Sequence, residues 1–321
     1  MRLAVKILLA LAACLIAFWA FVLWRAGERE ARAEAAFPPQ GQLIEVDGNT
    51  IHALVMGEGP DVVLIHGSGG NLRDMTFRLA PALADRYRVI VLDRPGFGYS
   101  PRMPGRESIA DQANILSQAA QALEADKPVV LGHSYGGAVA LAWAVRHPDR
   151  LSALVPVASP SQTWDEPLDP LYQVTSSGIG QVVAVPLLTA FVPDTTVADA
   201  LLSIFAPEEP PEEYAAHVGP GLTLRRASMA ANGVQRATLR DEIAALVPRY
   251  GQIAVPTEIV HGTADTTVGL ERHAVPLARA VDGANLTPVQ GAGHMPHHTA
   301  TDRIAAAVDR AARRADLREA D

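Results

Sequence analysis

Cysteine is almost missing from this chain: Cys14 is the only one in 321 residues. An intramolecular disulfide is therefore excluded, and there is no Cys-x-x-Cys or Cys/His pattern of zinc-ligand spacing. Aromatic residues are also scarce, at 5%, which leaves little to build a base-stacking platform. An excess of positive charge is absent too. The formal net charge is −8 and the pI near 5.7, which argues against nucleic acid as a partner. Internal repeats and low-complexity tracts are lacking. What is present is apolar: 49% hydrophobic against 19% charged residues, enough for a sizeable core in one large α/β domain or two smaller ones.

The longest apolar run is at the N-terminus. Arg2 and Lys6 precede an unbroken stretch from Ile7 to Trp24, and Arg25 ends it. As a helix, residues 7–24 would be about 27 Å long, close to the hydrocarbon thickness of a bilayer. Trp24 falls where an interfacial aromatic is expected. A cleaved signal peptide would have a shorter apolar region with a small-residue cleavage site close behind it. Here the one candidate, Ala33-Glu34-Ala35, lies well beyond the run. A helix apolar on every side with basic ends fits lipid better than a protein core. The reading is an uncleaved single-pass anchor over residues 1–26. Arg2 and Lys6 face Arg25, Arg29 and Arg32 across the span, so the charge comparison is nearly balanced. The preferred orientation places the short N-tail inside and the domain outside the cytoplasm.

Residues 27–40 alternate charge with alanine and then meet Pro38 and Pro39. They read as a short helical or extended linker, with any helix stopped by the prolines. From Gly41 the pattern turns β-rich. QLIEV and TIHALVM flank Gly48-Asn49, a hairpin signal. DVVLIHG, YRVIVLD, KPVVLGHS and LSALVPVAS are short, wholly apolar runs, as expected of strands buried on both faces. Helical stretches separate them, which predicts a parallel sheet covered on both sides over residues 41–160. The alternation then stops. Residues 161–246 are rich in proline and short apolar pieces; LYQVTSSGIGQVVAVPLLTAFV and TTVADALLSIFA read as helices, and EIAALV as a return to the core layer. VPTEIVHGTAD and ANLTPVQGAGH resume the sheet in residues 247–321, and TDRIAAAVDRAARRADL reads as an amphipathic outer helix.

The chemistry-bearing pattern is GHSYG, with an apolar strand before it and a helix after. G-x-S-x-G in that context places Ser134 at a sharp strand-to-helix turn. Gly132 and Gly136 flank it because side chains there would collide across the turn. The N–H of Tyr135 would then lie at a helix N-terminus, aimed at developing negative charge. A serine hydroxyl needs a base, and GAGHMPHH offers His294 on a loop after the last strand. His297 and His298 are its rivals, expected to face solvent or to support it from behind; no carboxylate or cysteine accompanies the three at ligand spacing, so no metal site is expected. The base needs an orienting acid. Asp265, in HGTADTTV, follows a strand and precedes His294. A turn or N-cap role is the alternative for Asp265. The other place for an acid, after LSALVPVAS, holds Ser159 and Pro160. HGSGGN at the end of the DVVLI strand can bring the N–H of Ser68, or less favourably Gly69, to an oxyanion.

These motifs, HGSGG, DRPGFGYS, GHSYGG, HGTADTTV and GAGHMPHH, occur in the order found in α/β-hydrolases, and the chain resembles that superfamily from about Gly41 onward. The resemblance implies an α/β-hydrolase fold: a mostly parallel eight-stranded sheet with helices on both faces and a helical cap inserted after the sixth strand. It also implies Ser134, Asp265 and His294 as a triad. DRPGFGYS is similar to a motif of the branch that holds haloalkane dehalogenases, epoxide hydrolases, C–C bond hydrolases and esterases. It implies a structural role for Asp93 and Arg94. Serine at 134 departs from the aspartate nucleophile of the dehalogenases and epoxide hydrolases. The expected activity is hydrolysis of a carboxylic ester of a small, largely apolar molecule, with no cofactor and no metal. C–C bond hydrolysis of a diketone acid is the alternative, with Arg225 and Arg226 as candidate carboxylate partners. A non-catalytic binding module at the membrane is the other.

Overall fold

The computed structural model describes residues 2–319. Its strands are β1 (Gln42–Val46), β2 (Asn49–Met56), β3 (Asp61–Ile65), β4 (Arg88–Leu92), β5 (Val129–His133), β6 (Ala153–Val157), β7 (Glu258–Gly262) and β8 (Asn285–Val289). They form one eight-stranded sheet in the order β1-β2-β4-β3-β5-β6-β7-β8. The β1–β2 and β2–β4 pairs are antiparallel, and every later pair is parallel. Asp47 and Gly48 both take positive φ (49° and 70°) in the β1–β2 turn, the twist that a two-residue hairpin loop requires.

Helices cover the sheet. Before β3 there is only α1 (Arg2–Ala36). Then come α2 (Leu72–Phe77), α3 (Leu79–Ala84), α4 (Ile109–Ala122) and α5 (Tyr135–Arg146). Between β6 and β7 lie α6 (Pro170–Ser176), α7 (Gly178–Phe191), α8 (Asp194–Ser203), α9 (Tyr214–Val218), α10 (Pro220–Thr223) and α11 (Arg226–Leu246). The chain closes with α12 (Leu270–Ala280), α13 (Pro296–Thr299) and α14 (Thr301–Arg314). Period-two alternation sorts the strands between two cores. Val63 and Ile65 of β3 join α4, α5, α11 and α12 on one face, while Val62 and Leu64 join α2, α3 and α14 on the other. Burying each such side chain contributes roughly 1.5–3 kcal/mol. Both faces being covered explains why β3–β6 read as unbroken apolar runs. The α/β-hydrolase expectation from the motifs is the architecture observed.

Three features of the helices set the course of the chain around the sheet. The N-terminal segment has no seam at residue 26: α1 runs on through the charged stretch to Ala36. Its helix-forming Glu, Arg and Ala residues permit this, and the chain leaves the helix just before Pro38 and Pro39. The apolar stretch from Leu171 to Val192 is two helices rather than one. Ser177 is extended (φ −74°, ψ 146°) and caps α7 by accepting from Gly180 N–H at 3.0 Å, and α6 and α7 meet at 114°. Finally, α11 belongs to two layers. Its last turns, with Leu239, Ile243 and Leu246, are buried in the main core. Its first half lies over the C-terminal edge of the sheet, where Asn232 and Gln235 make their contacts.

Candidate active site

Ser134 stands between β5 and α5 with φ 50° and ψ −119°. That conformation is strained for a non-glycine residue. Neighbouring glycines make the turn sterically feasible. A Cβ on Gly132 would sit 2.1 Å from the Gly136 carbonyl oxygen, and one on Gly136 would sit 2.3 Å from that of Ile65. Tyr135 is the first residue of α5, so its N–H has no helical carbonyl behind it.

The chain brings the three sequence-predicted residues together across 160 positions. His294 Nε2 is 3.0 Å from Ser134 Oγ, and His294 Nδ1 is 2.8 Å from Asp265 Oδ2. A carboxylate only accepts, so Nδ1–H donates to Asp265 and Nε2 is left to accept from the serine hydroxyl. All three side chains are buried. The other Asp265 oxygen accepts from the Thr267 and Val268 N–H groups at 2.8 and 2.9 Å. His261 Nε2 lies 3.3 Å from Oδ2 and 2.6 Å from the Val268 carbonyl. Burial by itself pushes the Asp265 carboxyl up. The hydrogen bonds from His261 and His294 outweigh it and hold the group below the usual carboxylate range. Asp265 is therefore ionised at neutral pH.

The loop after β3 lies against Ser134: a Cβ on Gly67 would be 3.3 Å from Ser134 Cβ. The cap reaches down to this loop. Ser68 Oγ donates to Asn232 Oδ1 at 2.7 Å, and Thr223 Oγ1 donates to the Gly69 carbonyl at 2.9 Å. From behind, the loop is pinned by Arg94. Its guanidinium donates to the His66 and Gly67 carbonyls at 3.0 and 2.8 Å, and to Gln112 and Gln235 at 2.9 and 2.6 Å. The ring faces of Phe97 and Tyr135 lie 4.5 and 4.4 Å from it. With no carboxylate bonded to it, burial draws the Arg94 pKa down to about 10. Next to it, burial first and the Arg94 charge second bring His66 to about 4. His66 is thus neutral: Nδ1–H donates to the Gly67 carbonyl at 2.9 Å and Nε2 accepts from the Arg94 N–H at 3.0 Å. Asp93 accepts from His52 and from the Leu72 and Tyr99 N–H groups, which fixes the start of α2 and the turn after β4.

His297 and His298 do not face solvent. Both are buried, and a carboxylate does accompany them in space, from far away in sequence. Asp74 Oδ1 accepts from His298 Nε2 and the Tyr214 hydroxyl, each at 2.8 Å, and Oδ2 lies 3.3 Å from His297 Nε2. Asp74, His133 and His297 bring one possible ligand atom each within 4.8 Å of one another. Both Asp74 oxygens are taken by protein donors, while Nδ1 of His133, His297 and His298 is buried without a hydrogen-bond partner. Burial raises the Asp74 carboxyl, but the charge and hydrogen bond of His297, with His298, hold it well below its ordinary value. His133 donates from Nε2 to the His294 carbonyl at 2.9 Å, and its ring stacks 4.1 Å from that of His297. The cluster thereby ties the loop of the candidate base to α2 and, through Tyr214, to the cap.

Arg225 and Arg226 do not line the site. Arg226 grips Glu30 of α1 through both Nε and Nη2 at 2.9 and 2.6 Å; Arg225 pairs with Glu34 at 3.0 Å and donates to the Gly98 carbonyl. Their charge is spent on the N-terminal helix.

A family model described as "alpha/beta hydrolase fold" matches residues 60–301. An uncharacterised protein of Mycobacterium tuberculosis is 28% identical over 283 residues, 85% of this chain and 81% of its own length. The crystallised esterase EaEST from Exiguobacterium antarcticum superposes with a TM-score of 0.70 at 22% identity, over 84% of this chain and 98% of that one. A membrane phospholipase A described as a bacterial virulence factor superposes with a TM-score of 0.65 at 20% identity over 99% of both chains. The two structures speak for the fold, and the family match covers most of the sequence: the chain belongs to the α/β-hydrolase fold family.

Proposed function

We propose that the protein is a serine hydrolase that cleaves a carboxylic ester through an acyl-enzyme. The observation that carries this is the unbroken contact path from Ser134 Oγ through His294 to Asp265, at 3.0 and 2.8 Å. In this reading His294 Nε2 takes the hydroxyl proton as Ser134 attacks the carbonyl carbon. The resulting oxyanion is held by the N–H groups of Tyr135 and Ser68, with Gly69 the weaker alternative to Ser68. Asp265 keeps the proton of His294 on Nδ1 and stabilises the imidazolium. His294 hands its proton to the departing alkoxide; it then takes a proton from water as the hydroxide attacks the acyl carbon, and returns that proton to Ser134 Oγ as the C–Oγ bond breaks and the carboxylic acid leaves. Apart from substrate and water, every group in this sequence is supplied by the chain itself. A fluorophosphonate probe should label the full-length protein at Ser134. A folded protein that resists the probe and keeps its esterase activity after Ser134→Ala would defeat the reading; a folded protein that resists the probe and hydrolyses no ester would favour a binding module.

The substrate reading is an ester with a largely apolar body, since the cap is built from Leu, Val, Ala and Pro. C–C hydrolysis of a diketone acid stays the alternative, but with a carboxylate partner other than Arg225 and Arg226, which are paired with Glu34 and Glu30. We read α1 as a retained single-pass anchor. It is long and apolar enough to cross a membrane, and its last turns are bonded into the cap through Arg25, Arg29, Glu30 and Glu34, contacts that a discarded leader would forfeit. We keep the orientation with the short N-tail inside and the domain outside the cytoplasm; the nearly even balance of Arg2 and Lys6 against Arg25, Arg29 and Arg32 leaves it to be fixed by experiment. Full-length protein should stay with membranes through carbonate washing, and added protease should reach the domain in spheroplasts but not in inverted vesicles.

A further inference from the structure

We propose that the α6–α7 elbow of the cap is a second membrane contact, lying in the boundary between headgroups and acyl chains beside α1. The inference rests on reading α1 as a membrane anchor and goes beyond it. Its first support is where α7 touches α1. Val22 and Ala26 are buried against Ala190, with Trp19 and Leu187 packed on the same cluster. The rings of Phe21 and Phe191 are 6.4 Å apart, and Arg25 donates to the Ala190 carbonyl at 2.8 Å. Trp19 is inside the apolar run, about 7 Å along the helix axis from its end at Trp24. If residues 7–24 cross the bilayer, the C-terminal turns of α7 are level with the last part of the span.

The second support is the distribution of exposed apolar side chains. Outside α1, every large one among the described residues except Leu43 lies between Leu171 and Leu202. Ile179 is 81% exposed and Val182 72%, with Val183 beside them at 39%. Their spacing of three and four puts them on one face of α7. Leu171 and Val174 carry the pattern onto α6. Scattered exposed apolar residues are ordinary in a soluble protein, whereas a concentration in one element marks a contact surface. Third, the chain carries no charged side chain from Pro170 to Pro193. A surface held in water would ordinarily be broken by charge; one held about 5–10 Å into the interface would not. Continuity with the span selects lipid over a second copy of the chain as the occupant.

The test uses full-length protein with Cys14→Ser, reconstituted in phosphatidylcholine vesicles. Single cysteines are placed at Ile179, Val182, Leu11 or Lys127 and carry an environment-sensitive NBD label. All four positions are exposed, and circular dichroism verifies each fold. Doxyl-phosphatidylcholine should quench the labels at 179 and 182 at least about two-fold more than the label at 127, with shallow doxyl groups most effective. Quenching at Leu11 with water-like labels at 179 and 182 overturns the elbow contact while leaving the anchor standing. A Leu11 label that lipid does not quench overturns the anchor, and the elbow with it. Energy transfer between labelled copies at 179 without lipid quenching also overturns the proposal, by naming a second copy as the occupant.

Discussion

The two sides of the sheet's C-terminal edge are held by different means. Around Ser134 the fixing contacts are short and buried: backbone N–H groups on Asp265, a neutral His66 under the Ser68 loop, Arg94 gripping two carbonyls. On the cap the fixing contacts are long side chains reaching N-terminal helix α1: Arg226 on Glu30, Arg225 on Glu34, Arg25 on the Ala190 carbonyl. The first kind loses much when one member is removed, because a buried partner is stranded. The second kind sits partly in water and loses little per contact. Chemistry and docking should therefore respond very differently to single substitutions.

The largest expected effect is at Ser134. Ser134→Ala should lower ester turnover by about 10⁴-fold or more with the fold intact, measured as kcat on a p-nitrophenyl ester beside a circular dichroism melt. Asp265→Asn should come next, about 10³–10⁴-fold, by presenting an N–H to His294 Nδ1 and favouring the wrong tautomer. A loss of less than ten-fold would assign Asp265 to a turn role only.

Asp74 sharpens the comparison from the stability side. Asp74→Asn should destabilise the protein at pH 7 by about 2–4 kcal/mol, because two histidine N–H groups and a tyrosine hydroxyl lose their anion. The pH dependence has a defined sign. Asp74 and Asp265 are both held below their ordinary values. Their stabilisation is complete above about pH 4, the unfolded carboxyl range, and is lost as pH falls through the folded values. Denaturant midpoints at pH 7 and pH 3 should thus draw closer between wild type and Asp74→Asn; parallel curves would show that Asp74 is not the ionised hub. The smallest effect is on the docking side. Arg226→Ala should cost about 0.5–1 kcal/mol, read as faster proteolysis near residues 30–40 with kcat unchanged. A ten-fold fall in kcat would mean that the α1–cap seam reports to the active site.

Much of this was legible in the sequence, for local reasons. A buried parallel strand must be apolar throughout, so β3–β6 declare themselves. A strained turn around a nucleophile needs small neighbours, so Gly132 and Gly136 mark Ser134. What stays hidden in the sequence is set by distance along the chain. Nothing near His297 or His298 announces Asp74, more than two hundred residues earlier, so two buried histidines were expected to face water or play a supporting part. Arg94 reads as one residue of a turn motif until the fold places two carbonyls of the Ser68 loop in front of it. For the stretch after the apolar run, composition leaves a helical and an extended linker both open; the helical one is observed, and its docking is decided by partners on the cap.

Helix α11 has one further consequence. It is 21 residues long, about 31 Å, with its far end clamped in the core and Asn232 projecting over Ser68. Its near end is held as well, by Arg226 on Glu30, so mechanically it is a braced beam rather than a hinged flap. With Ser68 Oγ 2.7 Å from Asn232, the beam rests on the loop, and the position of the loop's N–H groups is set by the same interior that sets the sheet.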